Sequence, residues 1–193
     1  MTNIISIDFD ICMWQDIQIY NDSISSASRD SVDRLVKTMP LLGYVRFDAH
    51  AYRAIANILI EAKQLIGKDN IHFIIDHEEI LQYLPKDKEF NLYNIDHHHD
   101  MGYEEKIGVR PQCGDWVCHA YDKYPMKKYY WVSDDLGVEP DTEKYEVQRL
   151  RVNSFSYHNI LPETSKVIVC LSPTWVPSQF YPLYDLLHDL MLT

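Results

Sequence analysis

The segment from Asp96 to Asp100 reads Asp-His-His-His-Asp and follows an apolar run that ends at Ile95. On an extended backbone, alternate side chains project to one face, so Asp96, His98 and Asp100 are expected to point the same way. One imidazole between two carboxylates suits Mn²⁺, Fe²⁺ or Zn²⁺, either as a single ion or as a pair that shares a carboxylate. The segment therefore predicts a metal site, with the imidazole of His97 as an alternative ligand.

Carboxylates and imidazoles also follow other apolar runs. Asp8 and Asp10 follow the first run, and their spacing is expected to place both carboxylates on one side. The second run leads into Asp76 and His77, of which either could be a ligand while the other orients a neighbour. So many acidic groups at one edge would repel one another unless a cation or protons compensate. We therefore expect bound metal at this edge, and two ions rather than one.

The residues around these groups predict strands that alternate with helices. Apolar and β-branched runs typical of strands occur at Asn3–Ile7, Ile71–Ile75, Asn91–Ile95, Tyr129–Val132 and Lys166–Leu171. Helical patterns occur over Ala51–Ile66, near Glu78–Leu84, over Asp115–Lys123 and over Leu183–Met191. This alternation predicts an α/β fold, a three-layer sandwich with a mostly parallel central sheet. Ligands of such folds bind outside the carboxyl ends of the strands, where the acidic groups lie.

Some features at the ends of the predicted elements have a purely structural interpretation. Asp48 is interpreted as the cap of the first long helix, and Gly67 as its end. Asp134 and Asp135, after the fourth strand, are interpreted as caps of a following helix. The stretch Gln15–Met39 shows no clear periodicity. An edge strand is compatible with Val147, Leu150 and Val152.

Length and composition exclude several classes of protein. The chain has 193 residues, which is enough for one domain with a substantial core, and we expect a single α/β metal-binding domain over 1–193. A formal charge of −11 argues against a broad basic face that binds nucleic acid, and no apolar run approaches the ~18 residues of a membrane span. The cysteines lack zinc-ribbon spacing and no secretory segment follows Met1, so a cytoplasmic protein with reduced, packed thiols is expected. The expected partner is a small-molecule substrate, and the oligomeric state stays open.

Three of these motifs together resemble the arginase/deacetylase (ureohydrolase-like) superfamily, especially its small branches. Asp96–Asp100 is similar to its D-x-H-x-D ligand motif, Ser6–Asp10 to its S-x-D-x-D ligand motif, and Asp76-His77 to an upstream Asp-His whose imidazole binds metal. The resemblance implies a binuclear site of two Mn²⁺ ions, or Fe²⁺ or Zn²⁺, with Asp96 and Asp8 as bridges. The six implied ligands are Asp8, Asp10, His77, Asp96, His98 and Asp100.

The resemblance also implies a reaction, the hydrolysis of a C–N bond in an amide, amidine or guanidino group. Two ions roughly 3.5–4 Å apart would activate a bridging hydroxide, and His119 or His99 could protonate the leaving nitrogen. Ser172–Pro177 is similar to a Ser-Pro turn before the final helix in the small branches. In that superfamily, however, the S-x-D-x-D strand follows D-x-H-x-D, so this chain would need a rewired or permuted strand order.

A second resemblance, to the DHH phosphoesterases, fits the order of the motifs without permutation. That family has an early D-x-D, a lone Asp after the second strand and then Asp-His-His, matched here by Asp8 and Asp10, by Asp76 and by Asp96–His98, with Asp134 or Asp135 filling a further place. Phosphate would then be held by His99 and by one or more of Arg110, Arg149 and Arg151. A third hypothesis is a non-catalytic metal-binding interaction protein, in line with the chain's 14 tyrosines and 4 tryptophans.

Overall fold

The computed structural model describes residues 1–15, 45–102, 110–134, 140, 144–173 and 175–193. Its strands are β1 (Thr2–Asp8), β2 (Met13–Gln15), β3 (Val45–Phe47), β4 (Ile71–Ile74), β5 (Phe90–Ile95), β6 (Met126–Ser133), β7 (Val147–Arg151) and β8 (Thr164–Cys170). The α-helices are α1 (Ala49–Ile66), α2 (Trp116–Lys123) and α3 (Tyr181–Leu192). Short 3₁₀ helices cover Phe9–Cys12, Lys68–Asn70, His77–Gln82, Val152–Ser154, Tyr157–Asn159, Leu161–Glu163 and Ser178–Phe180.

Six strands form one sheet in the order β4-β8-β1-β5-β6-β7, and every pair in it is parallel. The expected α/β class and parallel sheet are confirmed, and β7 is the edge strand that the apolar residues near Val147 indicated. Strand β1 lies at the centre, with β8 on one side and β5 on the other. The next strand of the sheet after β1 is β4, at the edge beyond β8, whereas β5 is followed by β6 in the other direction. Ligand crevices of α/β sheets lie where the strand order reverses in this way.

Helices cover both faces of the sheet because alternate strand residues are apolar on each face. On one face, Ile5 and Ile7 of β1 join a buried cluster with residues of α1 and α3, including Leu59 and Leu187. On the other face, Ile4 packs in a second cluster that includes residues of α2 and of the His77–Gln82 turn. Burial of each large aliphatic side chain stabilises the fold by about 1.5–3 kcal/mol. The layers around the sheet are therefore fixed by this alternation.

The predicted ends of α1 are confirmed. The Asp48 carboxylate accepts hydrogen bonds from the backbone N–H of His50 at 2.7 Å and of Ala51 at 3.1 Å, so it caps the helix. Gly67 follows the last residue with φ of 80°, a conformation that glycine adopts without a Cβ penalty. Across the described ranges, no helix is long and apolar enough to cross a membrane.

Two predictions differ from the structure or lie outside it. The stretch near Glu78–Leu84, expected to be a short helix, forms a 3₁₀ helix over His77–Gln82. Asp135 and nearly all of Gln15–Met39 lie outside the described residues, so the proposed cap at Asp135 belongs to that part.

Candidate metal centre

All six residues implied as metal ligands meet at the carboxyl ends of β1, β4 and β5. The register pairs Ile7 with Ile95, so Asp8 and Asp96 follow at neighbouring positions on adjacent strands. Both side chains continue the alternation that faces α2, in line with the buried Ser6 and Asn94 two residues earlier. Parallel strands share one carboxyl edge, which is why residues 88 positions apart in the chain become neighbours.

The local conformation of both aspartate motifs differs from the expected extended backbone. The residues after β5 bend, and the Asp96 Oδ1 atom accepts the backbone N–H of His98 at 2.7 Å. Likewise, Asp8 Oδ1 accepts the backbone N–H of Asp10 at 3.1 Å and caps the Phe9–Cys12 turn. In each motif the aspartate side chain therefore closes a local turn, because it accepts the backbone N–H of the second residue after it.

The inner half of the centre is built around His77, with Asp8 and Asp100. The Nδ1 atom of His77 lies 3.2 Å from Asp8 Oδ2, 3.0 Å from Asp100 Oδ2 and 3.4 Å from Asp96 Oδ2. The other ring nitrogen, Nε2, lies 2.9 Å from the Ser6 hydroxyl. The His77 side chain is only 1% exposed, so one nitrogen meets three carboxylates away from water.

The outer half consists of His98 and Asp10. His98 Nδ1 lies 3.1 Å from Asp10 Oδ2 and 3.5 Å from Asp96 Oδ1, and 22% of the His98 side chain is exposed. Asp96 therefore belongs to both halves, because one of its carboxylate oxygens faces His77 and the other faces His98. The Trp175 ring lies 4.5 Å from the His98 ring, centroid to centroid, and flanks the more open half.

Each carboxylate near His77 also accepts a hydrogen bond from a buried polar group. Ser172 Oγ donates to Asp8 Oδ2 at 2.5 Å, and Asn94 Nδ2 donates to Asp96 Oδ2 at 3.0 Å. Trp116 Nε1 donates to Asp100 Oδ2 at 2.7 Å, and the Trp116 ring lies 4.9 Å from that of His77. Such contacts fix the orientation of potential ligands before an ion binds.

The backbone at the centre takes unusual conformations at two positions. Asp100 has φ of 52° and Ser172 has φ of 50°, a left-handed region that non-glycine residues rarely adopt. Such residues cost of order 1–3 kcal/mol and persist where the surroundings determine them. Here the indole of Trp116 holds Asp100, and the contact with Asp8 holds Ser172. Both residues with a strained backbone are therefore hydrogen-bonded within the cluster.

Burial is the largest influence on the pKa of each carboxylate of the cluster that is shifted. Burial, with repulsion from Asp100 and Asp8, raises the pKa of Asp96 to about 7. Burial, with repulsion from Asp8 and Asp96, raises the pKa of Asp10 to about 6. Burial also acts to raise the pKa of Asp8, but the contacts with His77 and Ser172 outweigh it and lower that pKa. Without a cation, the cluster therefore retains protons that ordinary aspartates lose.

The two imidazoles of the cluster carry the compensating positive charge. Burial acts to lower the pKa of His77, but hydrogen bonds to Asp100 and Asp8 raise it well above its usual value. His98 behaves in the same way through its contacts with Asp10 and Asp96. In the absence of metal, protons on these rings balance the carboxylates, so a bound cation would displace protons.

The donor set fits a divalent cation. Carboxylate oxygens and imidazole nitrogens are the ligands that Mn²⁺, Fe²⁺ and Zn²⁺ accept. Asp10 Oδ1 is buried and has no hydrogen-bond donor among the residues that the structure describes, although such atoms are normally paired. Potential ligand atoms lie within 4.8 Å of one another in three groups: Asp10, Asp96 and His98; His77, Asp96 and Asp100; and Asp8, His77 and Cys170.

His97 is not directed at the cluster, although it stands between two of the implied ligands. Its Nδ1 lies 2.8 Å from Asp134 Oδ2, and its Nε2 lies 3.0 Å from the carbonyl oxygen of Met13. Burial acts to lower the pKa of His97, but Asp134 and Asp10 raise it to about 9. The ring thus links the loop after β5 to β2 and to the end of β6. The side chain of Asp134, interpreted as a helix cap, takes part in this link.

The two histidines proposed for proton transfer lie outside the pairs that form the two halves. His99 is buried, its Nδ1 accepts the backbone N–H of Met101 at 3.0 Å, and its ring meets the Trp131 ring edge-on. His119 lies in α2, with Nε2 3.7 Å from Asp115 Oδ1 and without a hydrogen-bond partner among the described residues. Their catalytic roles stay predictions.

Sequence reasoning did not assign several residues that touch the ligands. Ser6, Asn94, Trp116 and Cys170 contribute polar atoms to the centre through the contacts given above. A polar residue two positions before a strand-end aspartate, as at Ser6 and Asn94, is a signal that could have indicated the first two. No local pattern indicates Trp116, because its contact joins residues 16 positions apart.

The chain matches no model of a known protein family, and neither curated proteins nor solved structures give a match.

Proposed function

We propose that the protein is a metal-dependent hydrolase with a binuclear centre that acts on a C–N bond in an amide, amidine or guanidino group. The observation that carries the proposal is the position of Asp96. Its Oδ2 lies 3.4 Å from His77 Nδ1, and its Oδ1 lies 3.5 Å from His98 Nδ1. A carboxylate that faces two imidazoles with different oxygens suits a bridge between two ions, and two-ion centres catalyse hydrolysis.

Each of the two cations would have its own ligands. His77, Asp8 and Asp100 would hold one cation, and His98 and Asp10 the other, with Asp96 shared. When bound, the two cations supply a water of lowered pKa and positive charge for oxygens that gain charge during the reaction. The 22% exposure of His98 makes the outer half the side on which a substrate would approach. His119 is the proposed proton donor to the leaving nitrogen, since its Nε2 has no hydrogen-bond partner among the described residues.

The arrangement around His97 and Asp76 supports the arginase-like ligand set over that of the DHH phosphoesterases. The phosphoesterase resemblance assigns ligand roles to Asp76, to the first imidazole after Asp96 and to Asp134 or Asp135. Asp76 is exposed, while its neighbour His77 is buried among the carboxylates. His97 Nδ1 lies 2.8 Å from Asp134 Oδ2, so these two members of the phosphoesterase set contact each other. The imidazole that contacts Asp10 and Asp96, however, is that of His98.

The charges near the centre support a neutral or cationic substrate over a phosphate ester. The centre contains four carboxylates, so two dications would leave the loaded centre without net positive charge; they are those of Asp8, Asp10, Asp96 and Asp100. Arg149, one of the arginines considered for phosphate, donates from Nε to Ser133 Oγ at 2.9 Å and from Nη2 to the carbonyl oxygen of Asp134 at 2.6 Å. Its guanidinium also lies over the Trp131 ring. Arg110 and Arg151 are exposed.

The test is turnover by protein loaded with Mn²⁺ on two substrate panels, one of amides, amidines and guanidino compounds and one of phosphoesters. We expect release of ammonia or amine from the first panel, lost in Asp10→Asn and kept in the exposed Asp76→Asn control. Turnover of phosphoesters alone would overturn the C–N assignment in favour of the phosphoesterase alternative. Stoichiometric metal without turnover on either panel would favour the non-catalytic alternative.

A further inference from the structure

Cys170 ends the strand that separates the two segments supplying the inner half. Strand β8 lies between β4 and β1, and the register pairs Cys170 with Ile74 on one side and with Asp8 on the other. His77 follows β4 by three residues. The alternation of β8 places Cys170 on the face of Ile168, which is the α2 face. The thiol therefore lies beside the contact between the Asp8 carboxylate and the His77 imidazole.

The sulfur atom is within reach of an ion held by those two residues. Cys170 Sγ, a nitrogen of His77 and a carboxylate oxygen of Asp8 lie within 4.8 Å of one another, and all three residues are buried. Zinc–sulfur distances are about 2.3 Å and zinc–nitrogen distances about 2.0–2.1 Å, so one ion could contact all three with small adjustments. Asp10 Oδ1 in the adjoining outer half, buried and without a hydrogen-bond donor in the described part of the chain, independently points to a cation in this cluster.

The present contacts of the thiol can be exchanged for an ion. Cys170 Sγ lies 3.3 Å from the carbonyl oxygen of Ile75, to which it donates, and 3.2 Å from Ser172 Oγ. Ser172 in turn donates to Asp8 Oδ2. Thiol hydrogen bonds are weak, so replacing them by an ion–thiolate bond costs little. The thiol proton would leave to solvent when the ion–sulfur bond forms, as for other cysteine ligands.

The other cysteines lack this position. Cys12 is fully buried in the cluster that packs α1 and α3 against the sheet, on the opposite face. Cys118 is in α2 and donates to the carbonyl oxygen of Met101 at 3.3 Å. Cys113 is partly exposed. None of these three belongs to a group of potential ligands in the described parts of the chain.

From this placement we infer that Cys170 is a further ligand of the inner ion, beside Asp8 and His77. The inference rests on the proposed metal centre and assigns a ligand that the arginase-like set of six does not contain. A thiolate is a soft donor, so it would shift the preference of the inner position from Mn²⁺ toward Zn²⁺ or Fe²⁺, while the outer position, with only oxygen and nitrogen ligands, would keep its preference for harder ions.

The test is titration of the metal-free full-length protein with Co²⁺, followed by absorption spectroscopy. A thiolate bound to Co²⁺ gives a sulfur-to-metal charge-transfer band in the near ultraviolet, whereas oxygen and nitrogen ligands give only weaker visible bands. We expect the charge-transfer band in the wild type, its loss in Cys170→Ser and its retention in Cys12→Ser. We also expect Cys170→Ser to weaken binding of Zn²⁺ more than binding of Mn²⁺.

The outcomes separate the inference from the proposed function. If Co²⁺ binds with visible bands but the wild type shows no charge-transfer band, the metal centre stands and the role of Cys170 is overturned. Survival of the band in Cys170→Ser would overturn it equally. Failure of Co²⁺, Mn²⁺ and Zn²⁺ to bind at all would overturn the proposed function and this inference with it. Because the wild-type spectrum alone can give the contrary result, the test does not depend on the variant folding.

Discussion

The two halves of the candidate metal centre share Asp96 but differ in how completely their polar atoms are hydrogen-bonded by the protein. In the inner half, His77 meets three carboxylates, and Ser172, Asn94 and Trp116 donate further hydrogen bonds to those carboxylates. In the outer half, His98 is 22% exposed and Asp10 Oδ1 has no hydrogen-bond donor among the described residues.

The two halves therefore differ in how much they need a bound cation. The inner half is held together by protein contacts, with a protonated His77 in the place of a cation. The outer half leaves the buried Asp10 Oδ1 without a partner among the residues that the structure covers, a situation that costs about 1–3 kcal/mol. A cation is therefore most needed at Asp10, whereas the inner half is the more strongly organised.

The largest effect is expected when Asp96 is replaced by Ala, because that carboxylate belongs to both halves. The variant should bind neither ion and should lose the increase in thermal stability that Mn²⁺ gives the wild type. Elemental analysis and thermal melts with and without Mn²⁺ measure both quantities. The exposed Asp76→Asn variant is the control and should match the wild type. Wild-type metal content in Asp96→Ala would show that the halves do not share this ligand.

The next largest effects are expected from His77→Ala and His98→Ala, which should differ in stability and in the number of ions bound. Removal of His77 leaves three buried carboxylates without their cationic partner, so metal-free His77→Ala should lose roughly 3–5 kcal/mol of unfolding free energy. His98→Ala should lose less, because His98 is partly exposed, and should retain one equivalent of Mn²⁺ at the inner half.

Denaturant titration and elemental analysis give these two values. Equal destabilisation by the two variants, or loss of both ions in His98→Ala, would contradict a division into an organised and an open half.

A smaller effect is expected from a matched pair of tryptophan variants. Trp116→Phe keeps an aromatic ring beside His77 but removes the N–H that binds Asp100 Oδ2. It should cost about 1–3 kcal/mol of stability and about 10–100-fold in affinity for the inner ion. Trp175→Phe keeps a ring against His98 and should leave that affinity unchanged. Isothermal titration with Mn²⁺ measures the affinity of each variant, and chemical denaturation measures the stability of Trp116→Phe. Equal affinities in the two variants would remove the assigned role of Trp116.

The smallest effect is expected from pH, and the lowered pKa of Asp8 does not contribute between pH 5 and 8 because it acts only below about pH 4. The pKa values of Asp96 and Asp10 are raised to about 7 and about 6, so the folded state holds protons that the unfolded state releases above about pH 4. The raised pKa values of His77 and His98 act in the same direction above about pH 6.5. The metal-free protein should therefore become less stable as the pH rises from 5 to 8.

Bound Mn²⁺ should reverse this trend, because the ligands bind it in their deprotonated form and affinity rises with pH. Chemical denaturation of metal-free and Mn²⁺-loaded protein across that range measures the two slopes. The same slope in both forms would mean that the titrating groups are not the ligands.

Much of the fold and the clustering of most candidate ligands follow from sequence because they depend on short-range patterns. Alternating apolar residues indicate strands, and aspartates directly after Ile7 and Ile95 must reach the same edge once the strands are parallel. The choice between the imidazoles of His97 and His98 did not follow. It depends on the bend after Asp96 and on Asp134, which directly follows another strand, β6.

Long-range contacts explain what the sequence could not indicate. Trp116 reaches Asp100 because α2 packs on one face of the sheet, and Ser172 reaches Asp8 because β8 pairs with β1 across 164 positions. Asp100 and Ser172, whose backbone is left-handed, take part in these contacts, and no glycine in the sequence marks either position.

The most direct test of the shared centre is a crystal structure of the Mn²⁺-loaded protein, with anomalous scattering used to locate the ions. The proposed function predicts two anomalous peaks, one at His77 Nδ1 and one at His98 Nδ1, with the Asp96 carboxylate between them. A single peak, or a peak held by His97 and Asp134 in place of His98 and Asp10, would contradict the binuclear centre.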